Sequence, residues 1–228
     1  MPLPALPLSA LLLRPAETAA RGLLGALLVR EDPEAGRRVG RVVEVEAYAG
    51  PEDLASHARF GRTKRNRAMF AAPGRAYVYG VYGMHTCLNV VAGPEGTAAA
   101  ILIRAVEPVA GADAMRAARL AWAVSTRRAD AADPEAARAR LAGVADALLA
   151  SGPANLAAAL GITRADDGRD LLDPVAPLRL AAGYDVPDDQ VAAGPRVGVA
   201  YAGDEWAGRR WRFWVAGNPA VSRPRRAR

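Results

Sequence analysis

The sequence predicts an α+β fold: a single compact domain with a curved, mainly antiparallel sheet, flanking helices and a protruding β-hairpin. Three observations point there. Short runs rich in β-branched and aromatic residues, among them Val42 to Tyr48, Arg75 to Val81 and His85 to Val91, are divided by loops and turns instead of regularly spaced helices, which favours antiparallel pairing over βαβ repetition. Hydrophobic residues make up 51% of the chain against 24% charged, enough apolar surface to build a core. At 228 residues the chain suits one domain.

Residues 1–15 read as an irregular lead-in, 16–222 as the domain with a helical insert at about 110–150, and 223–228 as a basic, disordered tail. Pro15 to Leu24 has the pattern of a short helix feeding a strand at Ala26 to Arg30. The polar turn Glu31 to Arg38 then lets strands 26–30 and 40–48 pair as a hairpin. Pro51 to Gly74 carries loop signals, and long loops held by a scaffold often carry function. Arg75 to Val81 and His85 to Val91 are strands meeting at Tyr82-Gly83-Met84, and Gly93 to Gly96 is a turn before a strand at Thr97 to Ala105. Glu107 to Trp122 has helical character. Asp133-Pro134-Glu135 starts a second helix, because proline is tolerated at the first helical position, and Leu141, Val144, Leu148 and Leu149 form its apolar stripe. Pro153 to Leu160 is a helix stopped by Gly161, and strands follow at Leu178 to Ala182, Arg196 to Ala202 and Arg210 to Ala216.

The net charge of +6 and a pI near 10.1 favour a polyanionic partner, nucleic acid before membrane, since no sustained basic amphipathic helix appears. One cysteine, Cys87, excludes an internal disulfide framework and a multi-cysteine zinc site. With only His57 and His85, metal chemistry would rest on carboxylates. Leu3 to Leu13 is apolar but broken by prolines and lacks a basic n-region, so the expected compartment is a reducing cytoplasm.

Extended backbone puts Val43, Val45 and Ala47 on one face and Glu44, Glu46 and Tyr48 on the other. A carboxylate beside a stacked base can orient and deprotonate water for cleavage of an N-glycosidic bond. Periodicity does not choose between Glu44 and Glu46, and an ordinary exposed strand face is the commoner meaning of Val-Glu-Val-Glu. Tyr77, Tyr79 and Val81 share one strand face, with Val78, Gly80 and Tyr82 on the other. Proteins that extrude a nucleotide need a wedge and flat π surfaces, which Tyr82 at the hairpin tip and the other tyrosines would supply; packing is the competing reading, favoured for Tyr77 and Tyr79. Arg59, Arg62, Lys64, Arg65 and Arg67 form a basic loop suited to phosphates, or simply a solvated one. Arg104 ends the apolar run Ile101-Leu102-Ile103 and needs a partner, either Glu46 or Glu107. His57 either contacts a base edge or caps a turn.

The runs G-R-V-V-E-V-E-A-Y-A-G-P-E-D-L-A-S-H, R-N-R-A-M-F-A-A-P-G-R-A-Y-V-Y-G-V-Y-G-M-H-T-C-L-N-V and L-I-R-A-V-E-P, with S-G-P-A-N-L, G-R-D-L, R-V-G-V and R-F-W-V-A-G-N-P-A-V-S, resemble the alkyladenine (3-methyladenine) DNA glycosylase family over roughly Leu23 to Ser222. The resemblance implies a DNA repair enzyme that flips alkylated or deaminated purines from duplex DNA and hydrolyses the N-glycosidic bond, leaving an abasic site, without metal or cofactor. It implies Glu46 as the general base, Arg104 and the Val197 carbonyl as groups holding the water, and Tyr48 stacked on one base face with His57 and Tyr79 on the other. Tyr82 matches the intercalating residue, and Asn89 an asparagine that crowds the amino group of normal guanine. Arg62, Lys64, Arg65 and Arg67 are expected at phosphates, on a monomer acting at the nucleoid if bacterial. His85, Asn155 and Tyr201 depart from the residues common among relatives.

A non-catalytic damaged-DNA binding module is the alternative, which the presence of both Glu46 and Arg104 disfavours. No lyase activity is expected, since the only lysine, Lys64, lies in the basic loop and a lyase needs an amine at the pocket. Replacing the wedge, Tyr82→Ala, is expected to weaken binding to a lesion duplex much more than to plain DNA in parallel titrations; equal losses would make Tyr82 a general backbone contact.

Overall fold

The computed structural model describes residues 6–81, 85–125 and 134–223. Its centre is strand β2 (Arg38–Tyr48), which follows β1 (Leu27–Arg30) as the antiparallel hairpin the turn at Glu31 to Arg38 requires. One edge of β2 takes β5 (Ala99–Ala110) along its length. Its other edge is divided between β1, opposite Arg38 to Arg41, and β8 (Arg212–Val215), opposite Glu44 to Glu46. Beyond β5 lie β4 (His85–Ala92) and then β3 (Ala76–Val81); beyond β1 lies β6 (Leu178–Ala181), and β7 (Val191–Gly194) pairs with β8. Every pairing is antiparallel, and the sheet curls.

Side-chain alternation divides this sheet into a face that packs into the core and a face that lines a cavity. Val45, Ala47, Val78, Leu88, Val90, Ile101 and Ile103 join the main core against helices α1 (Leu8–Leu12), α2 (Ala16–Gly22) and α5 (Pro153–Ala159). The opposite parity, including Tyr48, Tyr79, Cys87, Asn89, Leu102 and Arg104, faces a cavity. A pair of compensating bulges interrupts the β2–β5 ladder: Val42 pairs with Val106 and Glu44 with Ala105, skipping Val43, and Val45 pairs with Ile103, skipping Arg104. An inserted residue reorients its neighbours. Val43 therefore leaves the face shared by Val45 and Ala47, contrary to simple alternation, and packs with Ala105, Val215 and Ala220.

Several boundaries differ from expectation. The lead-in contains α1, whose Leu12 is buried. Strand β5 runs on to Ala110, so the helix expected from Glu107 starts at Ala112 as α3 (Ala112–Ser125). The second helix, α4 (Pro134–Ala142), ends before Val144; Leu141 and Leu149 are buried, but Leu148 is exposed, so the four residues do not form one stripe. Residues 196–199 are irregular and Ala200–Ala202 is a single 3₁₀ turn, where a strand was expected. The strand that forms a hairpin with β8 lies earlier, at β7, and α6 (Gly203–Gly208) lies within the connection. The loop at 51–74 contains 3₁₀ turns at His57–Phe60 and Arg67–Phe70. Tyr82, the hairpin tip and most of the basic tail lie outside the described residues. No described helix is long and apolar enough to cross a membrane.

Gly25 is the hinge by which α2 meets the sheet. Its φ is +88°, its N–H donates to the Val42 carbonyl, and its own carbonyl accepts from Tyr184. A Cβ there would sit 1.9 Å from the Tyr184 carbonyl oxygen. Gly25→Ala is therefore expected to destabilise the fold by at least about 2 kcal/mol, measured by urea denaturation.

Candidate active site

Glu44 and Glu46 are fully buried, which is costly for carboxylates unless each is paired and hydrogen-bonded. The bulge gives them a common partner. Arg104 donates from Nε to Glu44 at 2.7 Å, and its Nη1 lies 3.1 Å from the Glu46 carboxylate. The expected alternative is not realised, because Glu107 pairs with Arg41. Glu46 Oε1 also accepts the backbone N–H of Val197 at 2.7 Å, and Glu46 Oε2 accepts the Tyr48 hydroxyl at 2.9 Å. It is thus the amide of Val197 that touches Glu46. Glu46 lies directly behind a wall whose members Tyr48, Arg104 and Val197 face a cavity of about 660 Å³.

Tyr48, His57, Tyr79 and Asn89 line the same cavity. His57 packs edge-on against Tyr79, with ring centroids 4.6 Å apart, and its Nδ1 is 2.9 Å from the Tyr77 hydroxyl. Tyr77 itself is buried with Met69 and Ala100 but also edges the cavity, so packing and pocket roles coincide there. Asn89, opposite Tyr77 in the ladder, donates its side-chain amide to the Tyr77 carbonyl at 3.1 Å.

Burial sets the proton inventory. It pushes the Tyr48 and Tyr79 phenols well above their ordinary value, helped at Tyr48 by the Glu46 charge, so both are donors at neutral pH. Tyr77 is raised to about 12 and Cys87 to about 11, again chiefly by burial. Burial, then the charges of Arg65 and Arg59, hold His57 below its ordinary value, leaving the ring neutral at pH 7. Burial would raise the Glu44 carboxyl, but Arg104, Ser222 and Arg212 outweigh it and hold it below the usual carboxylate value.

Arg62, Lys64, Arg65 and Arg67 are all exposed. Of these, Arg65 reaches the cavity and donates to the Gly80 carbonyl at 3.2 Å. Their loop is held by buried Asn66, which donates to the His57 and Gly61 carbonyls and accepts from both the amide and hydroxyl of Thr63. Tyr201 is 60% exposed at the rim and donates to the Ala55 carbonyl, with Arg59 over its ring. His85 stacks on Trp122, while Asn155 bonds the Ser151 carbonyl and Arg119, so neither departure enters the cavity wall. Among the described residues, no three His, Cys, Asp or Glu side chains gather as metal ligands.

Sequence reasoning missed five supporting residues: Asn66, Asp53, Arg196, Arg212 and Ser222. Arg196 and Asp53 form a fully buried bidentate pair at 2.5 and 2.9 Å, with Asp53 also capping the amides of Ala49 and Ala55. The Arg196 guanidinium lies 4.8 Å from the centre of the Tyr48 ring, behind the pocket wall, and Val197 follows it in sequence. The available signal was an arginine next to an apolar run, the pattern that drew attention to Arg104.

The model of the methylpurine-DNA glycosylase family matches residues 10–219. A protein from Nocardia farcinica named a 3-methyladenine DNA glycosylase is 46% identical over 215 residues, covering 92% of this chain and 87% of its own. One of the same name from Myxococcus xanthus is 46% identical over 211 residues, with 92% and 90% covered. A human protein named DNA-3-methyladenine glycosylase is 43% identical over 210 residues, covering 92% of this chain and 65% of its own.

The Asp53–Arg196 pair carries a testable cost. Breaking a buried pair strands a charge, so Asp53→Ala is expected to destabilise by about 3–5 kcal/mol, and Asp53→Ala with Arg196→Leu by less than the sum of the two single changes, in chemical denaturation of all four proteins.

Proposed function

We propose that this chain, which belongs to the methylpurine-DNA glycosylase family and is a DNA repair glycosylase, excises alkylated or deaminated purines from duplex DNA by a single hydrolytic step. The observation that carries the reading is a buried carboxylate, Glu46, held by an arginine, an amide and a phenol directly behind the wall of an aromatic cavity. The flipped purine lies between Tyr48 on one side and His57 with Tyr79 on the other, and Tyr82 fills the stack it leaves. Glu46 takes a proton from water, the water oxygen bonds to the sugar C1′, and the C1′–N9 bond breaks as its electrons leave with the purine. Arg104 and Val197 keep the carboxylate in register, and Arg104 stays charged because its two carboxylate partners outweigh the cost of burial.

The neutral state of His57 supports acceptance of cationic methylated bases, since a charged imidazole would repel them while the tyrosine faces attract them. Asn89 crowds the amino group of normal guanine. Arg62, Lys64, Arg65 and Arg67 follow phosphates at the mouth. The product is an abasic site in an intact strand, a reading supported by the absence of lysine from the cavity wall. The enzyme acts as a monomer in the cytoplasm, at the nucleoid if bacterial.

One assay tests the reaction. On duplexes carrying methylated purines, ethenoadenine or hypoxanthine, the parent protein is expected to release free base, and Glu46→Gln to slow single-turnover release by about 10²- to 10⁴-fold. Equal rates would remove Glu46 as the base. A borohydride-trapped enzyme–DNA adduct or a nicked strand would show a lyase step.

A further inference from the structure

Glu44 does not line the cavity, yet it is the more heavily bonded of the two acids. It accepts from Arg104 Nε at 2.7 Å, Arg212 Nε at 2.7 Å, the Ser222 amide at 2.7 Å and the Ser222 hydroxyl at 2.9 Å. The Ser222 hydroxyl also accepts from Arg104 Nη2 at 3.2 Å, and the Ser222 carbonyl accepts from Arg212 Nη2 at 3.1 Å. The three nitrogens of the Arg104 guanidinium are thus divided: Nε to Glu44, Nη2 to Ser222, Nη1 toward Glu46. Because a guanidinium is planar, fixing two corners fixes the third. The second arginine, Arg212, balances the second carboxylate, so Arg104 does not serve two anions alone.

We propose that Glu44 is the positioning residue of this site, aiming Arg104 at Glu46, and that Ser222, brought back from the end of the chain, closes the anchor. The proposal rests on the reading of Glu46 as the base. It also gives the C-terminal segment a role in the reaction: without Ser222, Glu44 loses two donors and Arg104 one acceptor. A purely structural Glu44 would tie the tail to the sheet but leave the aim of Arg104 and the rate of base release unaffected in a folded variant.

The experiment uses the full chain labelled with ¹⁵N-arginine, with the Arg104 Nε–H resonance assigned by its loss in Arg104→Lys. Wild type is expected to show this resonance downfield and as ordered as the backbone. In Glu44→Gln it should move upfield and lose order, and single-turnover release from a hypoxanthine duplex should fall by about 10- to 100-fold, while duplex affinity stays within about twofold. Should Glu44→Gln fail to fold, Ser222→Ala, which keeps the Ser222 amide bond, is expected to slow release by about 3- to 10-fold, with Ser222→Thr restoring it. A folded variant with an unmoved Arg104 signal, or with a moved signal and an unchanged rate, overturns the proposal. The resonance is read without substrate, so a wild-type protein that releases no purine defeats the glycosylase reading, while the Arg104 signal still decides whether Glu44 aims it.

Discussion

Two carboxylates on one strand, both withdrawn from water, are the constraint to which the rest of the molecule answers. Burying an ionised acid is unfavourable by several kcal/mol in an effective protein medium, and opposite charge with well-aimed donors is what offsets it. Here the compensation is drawn from distant chain segments: Arg104 from β5, Arg212 from β8, Ser222 from the C-terminal segment and the Val197 amide from the loop after β7. The curled sheet brings these segments to one place, since β2 gives one edge to β5 and part of the other to β8.

That arrangement distinguishes two acids which the Val-Glu-Val-Glu spacing presents as identical. Glu44 is consumed by arginine and serine donors and does not line the aromatic cavity. Glu46 keeps lighter company, one amide, one phenol and one guanidinium nitrogen, each belonging to a residue of the cavity wall. A second buried pair, Asp53 with Arg196, backs the Tyr48 ring and is continuous with Val197, so the Tyr48 face of the cavity and the carboxylate's amide donor share one support. The cavity wall carries the un-ionised phenols of Tyr48 and Tyr79 and the neutral imidazole of His57, alongside the charged guanidinium of Arg104.

Much of this was legible in the chain. Alternation placed Glu44, Glu46 and Tyr48 together, the strands at 75–81 and 85–91 were located within one residue, the apolar run ending at Arg104 marked that arginine, and the family motifs added Asn89; Arg104 and Asn89 both line the cavity. What misled was local pattern carried too far. The helix expected at Glu107 yields to a strand that continues because β2 is still there to pair with, as Pro108 opposite Gly40 and Ala110 opposite Val39 illustrate. The strand expected at Arg196 gives way to a turn because Arg196 is drawn to Asp53 instead of to a neighbouring strand.

The sequence by itself determined the strand chemistry, the basic balance, the face on which the acids lie and, through its motifs, the family. Only the tertiary structure decided which side of the sheet Val43 joins, that Arg104 bonds both acids, and that Ser222 reaches Glu44 and Asp53 reaches Arg196. The reason is one of range. Alternation is a property of adjacent residues, whereas the bonds that distinguish Glu44 from Glu46 span separations of 60, 151, 168 and 178 residues and depend on two compensating bulges whose register is fixed by packing across the whole sheet.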